Sequence, residues 1–89
     1  MAFDAAVIQA YATQRGQVRA TTDHQQHDVR AMDLDNPTIQ AYVRRRADVE
    51  AAWYISGLEG ILAEDRQEAE QMFSEAFVAA YYDTARGLG

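Results

Sequence analysis

Cysteine and lysine are both absent from this chain of 89 residues. Without cysteine the chain has no disulfide, no thiolate metal ligand and no cysteine nucleophile. Its 8 basic residues are all arginine, against 14 aspartates and glutamates, and the net charge is −6. Nucleic acids and anionic membranes both need a cationic surface. Direct binding to either is therefore not expected, whereas a protein partner is.

Long apolar runs are missing as well. No stretch approaches the ~20 residues of a membrane span. Residues 1–12 carry no lysine or arginine and include Asp4, so no signal peptide is predicted. We expect a cytoplasmic protein, or a virion component if the source is viral. The length favours one helical domain over residues 1–89, with a thin core, because folding hides only about 60–65% of the surface of so short a chain.

Pro37 is the single proline, and it marks the start of a predicted helix over residues 37–55. Asn36 can cap this helix, and a proline at the first helical position forfeits no hydrogen bond. Residues 33–36, Asp-Leu-Asp-Asn, form the preceding loop. The inner side of the helix is predicted to carry Ile39, Tyr42, Val43, Val49 and Trp53.

A second long helix is predicted over residues 58–86, where apolar residues recur at spacings of three and four. Gly57 and Gly60 favour a turn before it, since each glycine lowers helix propensity by about 1 kcal/mol. The helices 37–55 and 58–86 should then form an antiparallel hairpin. The alternative is one helix over 37–86, about 75 Å long, which would require an oligomeric coil.

The beginning of the chain is also predicted to be helical. Residues 3–15 place apolar side chains on one face, and Gly16 then interrupts the pattern. A polar segment follows and restarts as a helix near Asp23, where threonine and aspartate offer capping oxygens. The alternative is one unbroken helix over residues 3–31. Together these segments predict an all-α fold, a small three- or four-helix bundle built on the hairpin.

The two histidines, His24 and His27, lie one helical turn apart, with Asp28 beside them. Imidazole and carboxylate groups on one helix face can bind zinc or another divalent metal. A closed metal site needs three or four protein ligands, and the sequence marks no further ones. We therefore expect a solvated polar face, with no metal and no cofactor. A metal-binding helical protein that uses these histidines is kept as a second alternative.

The only basic cluster is Arg44-Arg45-Arg46. Asp48 and Glu50 follow Arg44 and Arg46 by four residues, which allows two helical ion pairs. The cluster can also contact an acidic partner through its guanidinium groups. Arg44 and Arg45 are therefore candidate interface residues.

The adjacent aromatic pairs Trp53-Tyr54 and Tyr81-Tyr82 provide further interface candidates. Neighbouring helical positions point about 100° apart, so only one member of each pair can face a narrow core. We expect Trp53 and Tyr81 to lie inside and Tyr54 and Tyr82 outside. Exposed aromatic residues are enriched at protein interfaces, and Tyr54 and Tyr82 are accordingly predicted to lie in one.

Acidic side chains follow along the second half of the chain, and Glu68 and Glu75 are candidate contacts for a basic partner. The sequence has no nucleophile elbow, phosphate loop or Glu-x-x-His pair, so no enzymatic activity is predicted. The profile favours a non-catalytic protein–protein interaction or structural subunit that associates with itself, such as a small virion or accessory component. The alternative is an acidic inhibitor whose helix face occupies the nucleic-acid-binding groove of a target protein.

Overall fold

A computed structural model describes residues 3–27 and 29–89, and within these ranges the chain is helical and contains no strand. None of the helices in this part of the chain is long and apolar enough to cross a membrane. The elements in chain order are α1 (Ala5–Gln26), a 3-10 helix (Ala31–Asp35), α2 (Pro37–Ser56) and α3 (Ala63–Leu88). The predicted all-α bundle and its α2–α3 hairpin are confirmed.

Helix α3 is the central element of the bundle, and both α1 and α2 pack along it. Its last turns meet the last turns of α1, since the Tyr81 hydroxyl lies 2.7 Å from the Asp23 carboxylate. Helices α1 and α3 therefore run parallel, and α2 runs antiparallel to both. Helices α1 and α2 meet mainly through long side chains, such as the stacked rings of Tyr11 and Tyr54.

Most of the core consists of one stripe on each of α1, α2 and α3, in which every fourth residue is buried, and Leu34 of the 3-10 helix adds to it. Helices α1 and α2 contribute mostly small side chains, whereas α3 contributes the large rings. Small side chains on the outer helices let them approach α3 closely while its aromatic rings fill the space between them. The stripes are Ile8, Ala12, Gly16 and Ala20 in α1; Val43, Ala47, Ala51 and Ile55 in α2; and Ala69, Phe73, Phe77, Tyr81 and Ala85 in α3.

Gly16 lies at the closest approach of α1 and α3. A Cβ atom at this position would stand 2.4 Å from the backbone oxygen of Phe77 and 3.0 Å from the Cβ of Ala80. Gly16 therefore lies inside a continuous helix because a side chain at this position would collide with α3. The predicted break at residue 16 and the restart near Asp23 are wrong. The structure agrees better with the alternative of one unbroken helix over residues 3–31, although α1 ends at Gln26.

Helices α1 and α2 begin with ordinary side-chain caps, whereas α3 has no side-chain cap at its start. The Asp4 carboxylate accepts hydrogen bonds from the backbone N–H groups of Ala6 and Val7, and Asn36 accepts one from Thr38. Pro37 occupies the first turn of α2 as predicted. These side chains satisfy backbone donors that have no partner within the helix.

Two predicted boundaries are wrong. Residues 33–36 were expected to be a loop, but most of them belong to the 3-10 helix (Ala31–Asp35). Helix α3 begins at Ala63 instead of residue 58, because Gly60 has a φ of 80°, which a right-handed helix excludes. The hairpin connection is correspondingly longer.

The orientation predicted for the aromatic pair in α2 is reversed. Trp53 is 77% exposed and Val49 is 55% exposed, whereas Tyr54 packs against the core. The prediction gave weight to large apolar residues and overlooked Ala47 and Ala51, which are buried against α3. Once the alanines define the inner face, Trp53 must point away from it. The predicted inner position of Tyr81 is confirmed.

We expect Gly16→Ala to lower the free energy of unfolding by about 1–3 kcal/mol. Alanine favours the helix by about 1 kcal/mol, but the backbone of Phe77 cannot yield to the new methyl group unless the two helices separate. Urea unfolding at a fixed protein concentration measures the change.

Gly87→Ala is the matched control, since a Cβ at residue 87 meets nothing within 4 Å. It should be neutral or slightly stabilising. A Gly16→Ala protein as stable as the Gly87→Ala control would show that α1 and α3 are farther apart than described.

Candidate interaction groove between the first two helices

A groove runs between α1 and α2 on the side of the bundle that α3 does not cover. Its floor is the stacked pair of Tyr11 and Tyr54, whose ring centroids are 4.3 Å apart. Phe73 of α3 lies beneath them, 6.1 Å from Tyr11 and 5.5 Å from Tyr54. The floor is therefore rigid, because a buried aromatic residue supports both rings from below.

The groove is formed by three adjoining cavities, and Tyr54 lines all of them. The cavity at one end has a volume of about 490 Å³ and is lined by Arg15, Arg46 and Glu50 as well as the aromatic rings. A second, of about 500 Å³, extends to Leu58. The third, of about 220 Å³, lies at the start of α1 and is bordered by Asp4 and Glu59.

Three arginines meet one glutamate in the wall of the groove. Glu50 accepts a hydrogen bond of 2.8 Å from the Nε of Arg15 and one of 3.2 Å from the Nε of Arg46, and the Nε of Arg19 is 3.8 Å away. The hydrogen bond that Arg15 donates to Glu50 raises the pKa of Arg15 above its usual value. Since one carboxylate faces three guanidinium groups, this part of the groove has an excess of positive charge in an acidic protein.

The rim of the groove is apolar and exposed. Trp53 and Val49, one helical turn apart on α2, form one edge. Val7 borders the other edge near the start of α1 and is 55% exposed. Exposed apolar side chains that lie together on a surface are typical of sites that bind another molecule.

Behind the groove lies a buried carboxylate. Asp23 is fully buried, and its Oδ2 accepts hydrogen bonds from the hydroxyls of Tyr42, at 2.8 Å, and Tyr81, at 2.7 Å. This carboxylate joins α1 to both other helices. Its Oδ1 and the Nε of Arg19 are buried without a hydrogen-bond partner.

The two tyrosines have raised pKa values. Burial raises the pKa of Tyr81 far above its usual value, and the hydrogen bond to Asp23 raises it further. The same two causes, in the same order, raise the pKa of Tyr42. Both hydroxyls therefore stay protonated at neutral pH and act as hydrogen-bond donors, which suits a structural connection better than proton transfer.

The other predicted interface residues are dispersed. Arg44 forms an ion pair of 3.5 Å with Asp48, and Arg45 is exposed on α2. Tyr82 is half-buried, edge-on to Tyr81, with the Arg86 guanidinium 5.7 Å from its ring centroid. Glu68 and Glu75 are exposed on α3. Of the predicted interface residues, only Tyr54 lines the groove, and the interface role of all six stays a prediction.

The histidines lie away from the groove, where α1 ends. The Nδ1 of His24 is 3.1 Å from the backbone oxygen of Val29, and His27 is exposed at the C-cap of α1. Asp28, the third candidate metal ligand, lies outside the described residues. In residues 3–27 and 29–89, no group of three or more histidine, cysteine, aspartate or glutamate side chains is arranged to hold a metal ion.

Sequence reasoning missed the polar residues that α1 directs toward α2. Arg15, Arg19 and Asp23 recur at intervals of four after Tyr11, which places them along one side of a helix. This spacing was hidden because the helix was predicted to break at Gly16. With an unbroken helix, the same pattern would have predicted a polar face beside the core.

The tyrosine–aspartate cluster should make stability fall at high pH. The pKa of Tyr81 is higher in the folded protein than in the unfolded chain, where it is about 10. The stabilising effect is therefore complete below about pH 10 and is lost above it, by about 1.4 kcal/mol per pH unit. Urea unfolding from pH 8 to 11 should show this decline.

Tyr81→Phe is the control, and it should show a shallower decline above pH 10. At neutral pH it should lower the free energy of unfolding by about 1 kcal/mol, because Asp23 loses one donor. An identical pH dependence in the two proteins would refute the role of Tyr81.

The chain matches no protein-family model, no curated protein and no solved structure. The function is therefore inferred below from the residues that line the groove.

Proposed function

We propose that this protein is a non-catalytic interaction or structural subunit that associates with itself through the groove between α1 and α2. The observation that carries the proposal is Trp53, the single tryptophan of the chain, which is 77% exposed at the rim of this groove. Burying a tryptophan side chain against a partner would lower the free energy considerably, because its large apolar surface would leave water.

The composition of the groove supports a protein partner. Tryptophan, tyrosine and arginine are the residue types that most often dominate binding energy at protein interfaces. Here Trp53, Tyr54 and Arg15 line one cavity. The Tyr11–Tyr54 floor is held by Phe73, so little conformational freedom would be lost on binding.

A second copy is the partner that the fold favours. The bundle is thin, with principal extents of 40 × 21 × 18 Å, and small helical chains commonly add to a limited core by oligomerising. Val7 and Val49, also exposed, border the same groove. A two-fold dimer would cover these side chains on both copies with a single contact.

We expect Trp53→Ser to shift the protein from dimer toward monomer. The substitution removes the largest apolar group at the proposed contact, and its loss should weaken association by about tenfold or more. Sedimentation across micromolar concentrations measures the dissociation constant, and circular dichroism checks that the helix content is kept.

Met32→Ser is the matched control. Met32 is 79% exposed, as exposed as Trp53, but it lies in the 3-10 helix away from the groove. Its substitution should leave the dimer intact. A wild-type protein that sediments as a 10.0 kDa monomer at these concentrations would overturn self-association and leave the groove to a different protein.

A further inference from the structure

We infer that the second copy docks antiparallel, groove against groove, so that the acidic end of each groove meets the basic part of the other. This inference rests on the proposed function and adds the geometry of the contact. The observation behind it is the order of charges along the groove: carboxylates at one end, aromatic rings in the middle and guanidinium groups beyond them.

The acidic end is formed where α1 begins and α2 has ended. Asp4 and Glu59 line the cavity there, and both are exposed. The basic part is formed by Arg15 and Arg46, which line the cavity there and share the carboxylate of Glu50 with Arg19. One groove thus presents both signs of charge, separated along its length.

The two charged parts lie on opposite sides of the aromatic middle. At about 1.5 Å per residue, Asp4 is about 10 Å from Tyr11 along α1, and Arg15 and Arg19 are about 6 Å and 12 Å from Tyr11 in the opposite direction. On α2, Arg46 is about 10 Å from Trp53 by the same rise, and Glu59 follows beyond the other end of the helix. The aromatic residues therefore lie near the centre of a charge pattern that reverses about them.

When the helices of the two copies are aligned, the copies can meet face to face about a two-fold axis in two ways. If the axis runs along the helices, equal levels of the grooves meet, so that carboxylates oppose carboxylates and arginines oppose arginines. If the axis runs across the helices, each helix faces its own copy in the antiparallel direction. Glu59 then approaches the partner's Arg46, and Asp4 approaches the partner's Arg15 and Arg19. Like charges repel, so the pattern selects the second arrangement.

The antiparallel arrangement also places the exposed tryptophans well. With the axis passing near the level of Trp53, the Trp53 side chains of the two copies lie beside each other close to the axis. The apolar contact is then central and the charged contacts are peripheral, which is the usual organisation of an interface.

Charge reversal in two variants tests the arrangement. Glu59→Arg alone places arginine against the partner's arginine twice in one dimer, and Arg46→Glu alone places glutamate against glutamate twice. Each variant alone should dimerise about tenfold more weakly than the wild-type protein. Mixed in equal amounts, the two variants should form a heterodimer of near wild-type affinity, because both contacts then join opposite charges.

Glu59 and Arg46 suit this test because reversing them leaves the fold supported. Glu59 lies outside the helices. Arg46 can be replaced while Glu50 keeps its hydrogen bond of 2.8 Å to Arg15. Sedimentation of each variant and of the mixture gives the dissociation constants, and thermal unfolding checks that both variants are folded.

Glu68→Arg and Arg66→Glu are the matched controls, since they make the same changes of charge at exposed positions of α3. Neither should weaken the dimer, and mixing them should change nothing. If Trp53→Ser abolishes the dimer but the mixed groove variants fail to recover affinity, the face is right and the antiparallel arrangement is overturned. If the wild-type protein is monomeric, the proposed function itself fails.

Discussion

The close approach of α1 to α3 at Gly16 is the constraint on which the rest of the structure depends. With the backbone of Phe77 this near, α1 is fixed to α3 along its small side chains. The space between α1 and α2 is set instead by Tyr11, Arg15 and Arg19, which are long. One side of the bundle is therefore tightly packed and another is open. The groove is the open side, so the same stripe of small residues that stabilises the core also determines where the proposed interaction surface lies.

The buried carboxylate of Asp23 fixes the orientation of α1 near its C-terminal end. Hydrophobic contacts alone would tolerate rotation of α1 about its axis, whereas two tyrosine hydroxyls from different helices must reach one carboxylate oxygen. Breaking either bond leaves a buried polar group with fewer partners, which costs more than the net gain of making the bond. Asp23 thereby fixes which face of α1 carries Arg15 and Arg19 toward α2, and hence the charge of the groove.

The sequence predicted the elements of the fold better than their faces. The caps at Asn36 and Pro37 are local, so the start of α2 could be read from neighbouring residues. The role of Gly16 could not, because a glycine that breaks a helix and one that admits a neighbouring backbone look alike until the neighbour is known. Trp53 was misplaced for a related reason: size indicates what can be buried, but Ala47 and Ala51 face α3 because close packing there requires small residues. The groove depends on both of these tertiary facts, so it could not be predicted from the pattern alone.

Net charge and local charge act in opposite directions in this protein. With a net charge of −6, two copies repel each other at a distance, and that repulsion is screened over about 8 Å at physiological ionic strength. In the proposed antiparallel dimer, the guanidinium groups at one end of each groove face the carboxylates at the other end of the partner's groove, so attraction replaces this repulsion where the surfaces meet. Because exposed ion pairs contribute little free energy, the proposed dimer would obtain most of its affinity from the apolar contact around Trp53. The charges would determine its orientation, since the other alignment brings like charges together.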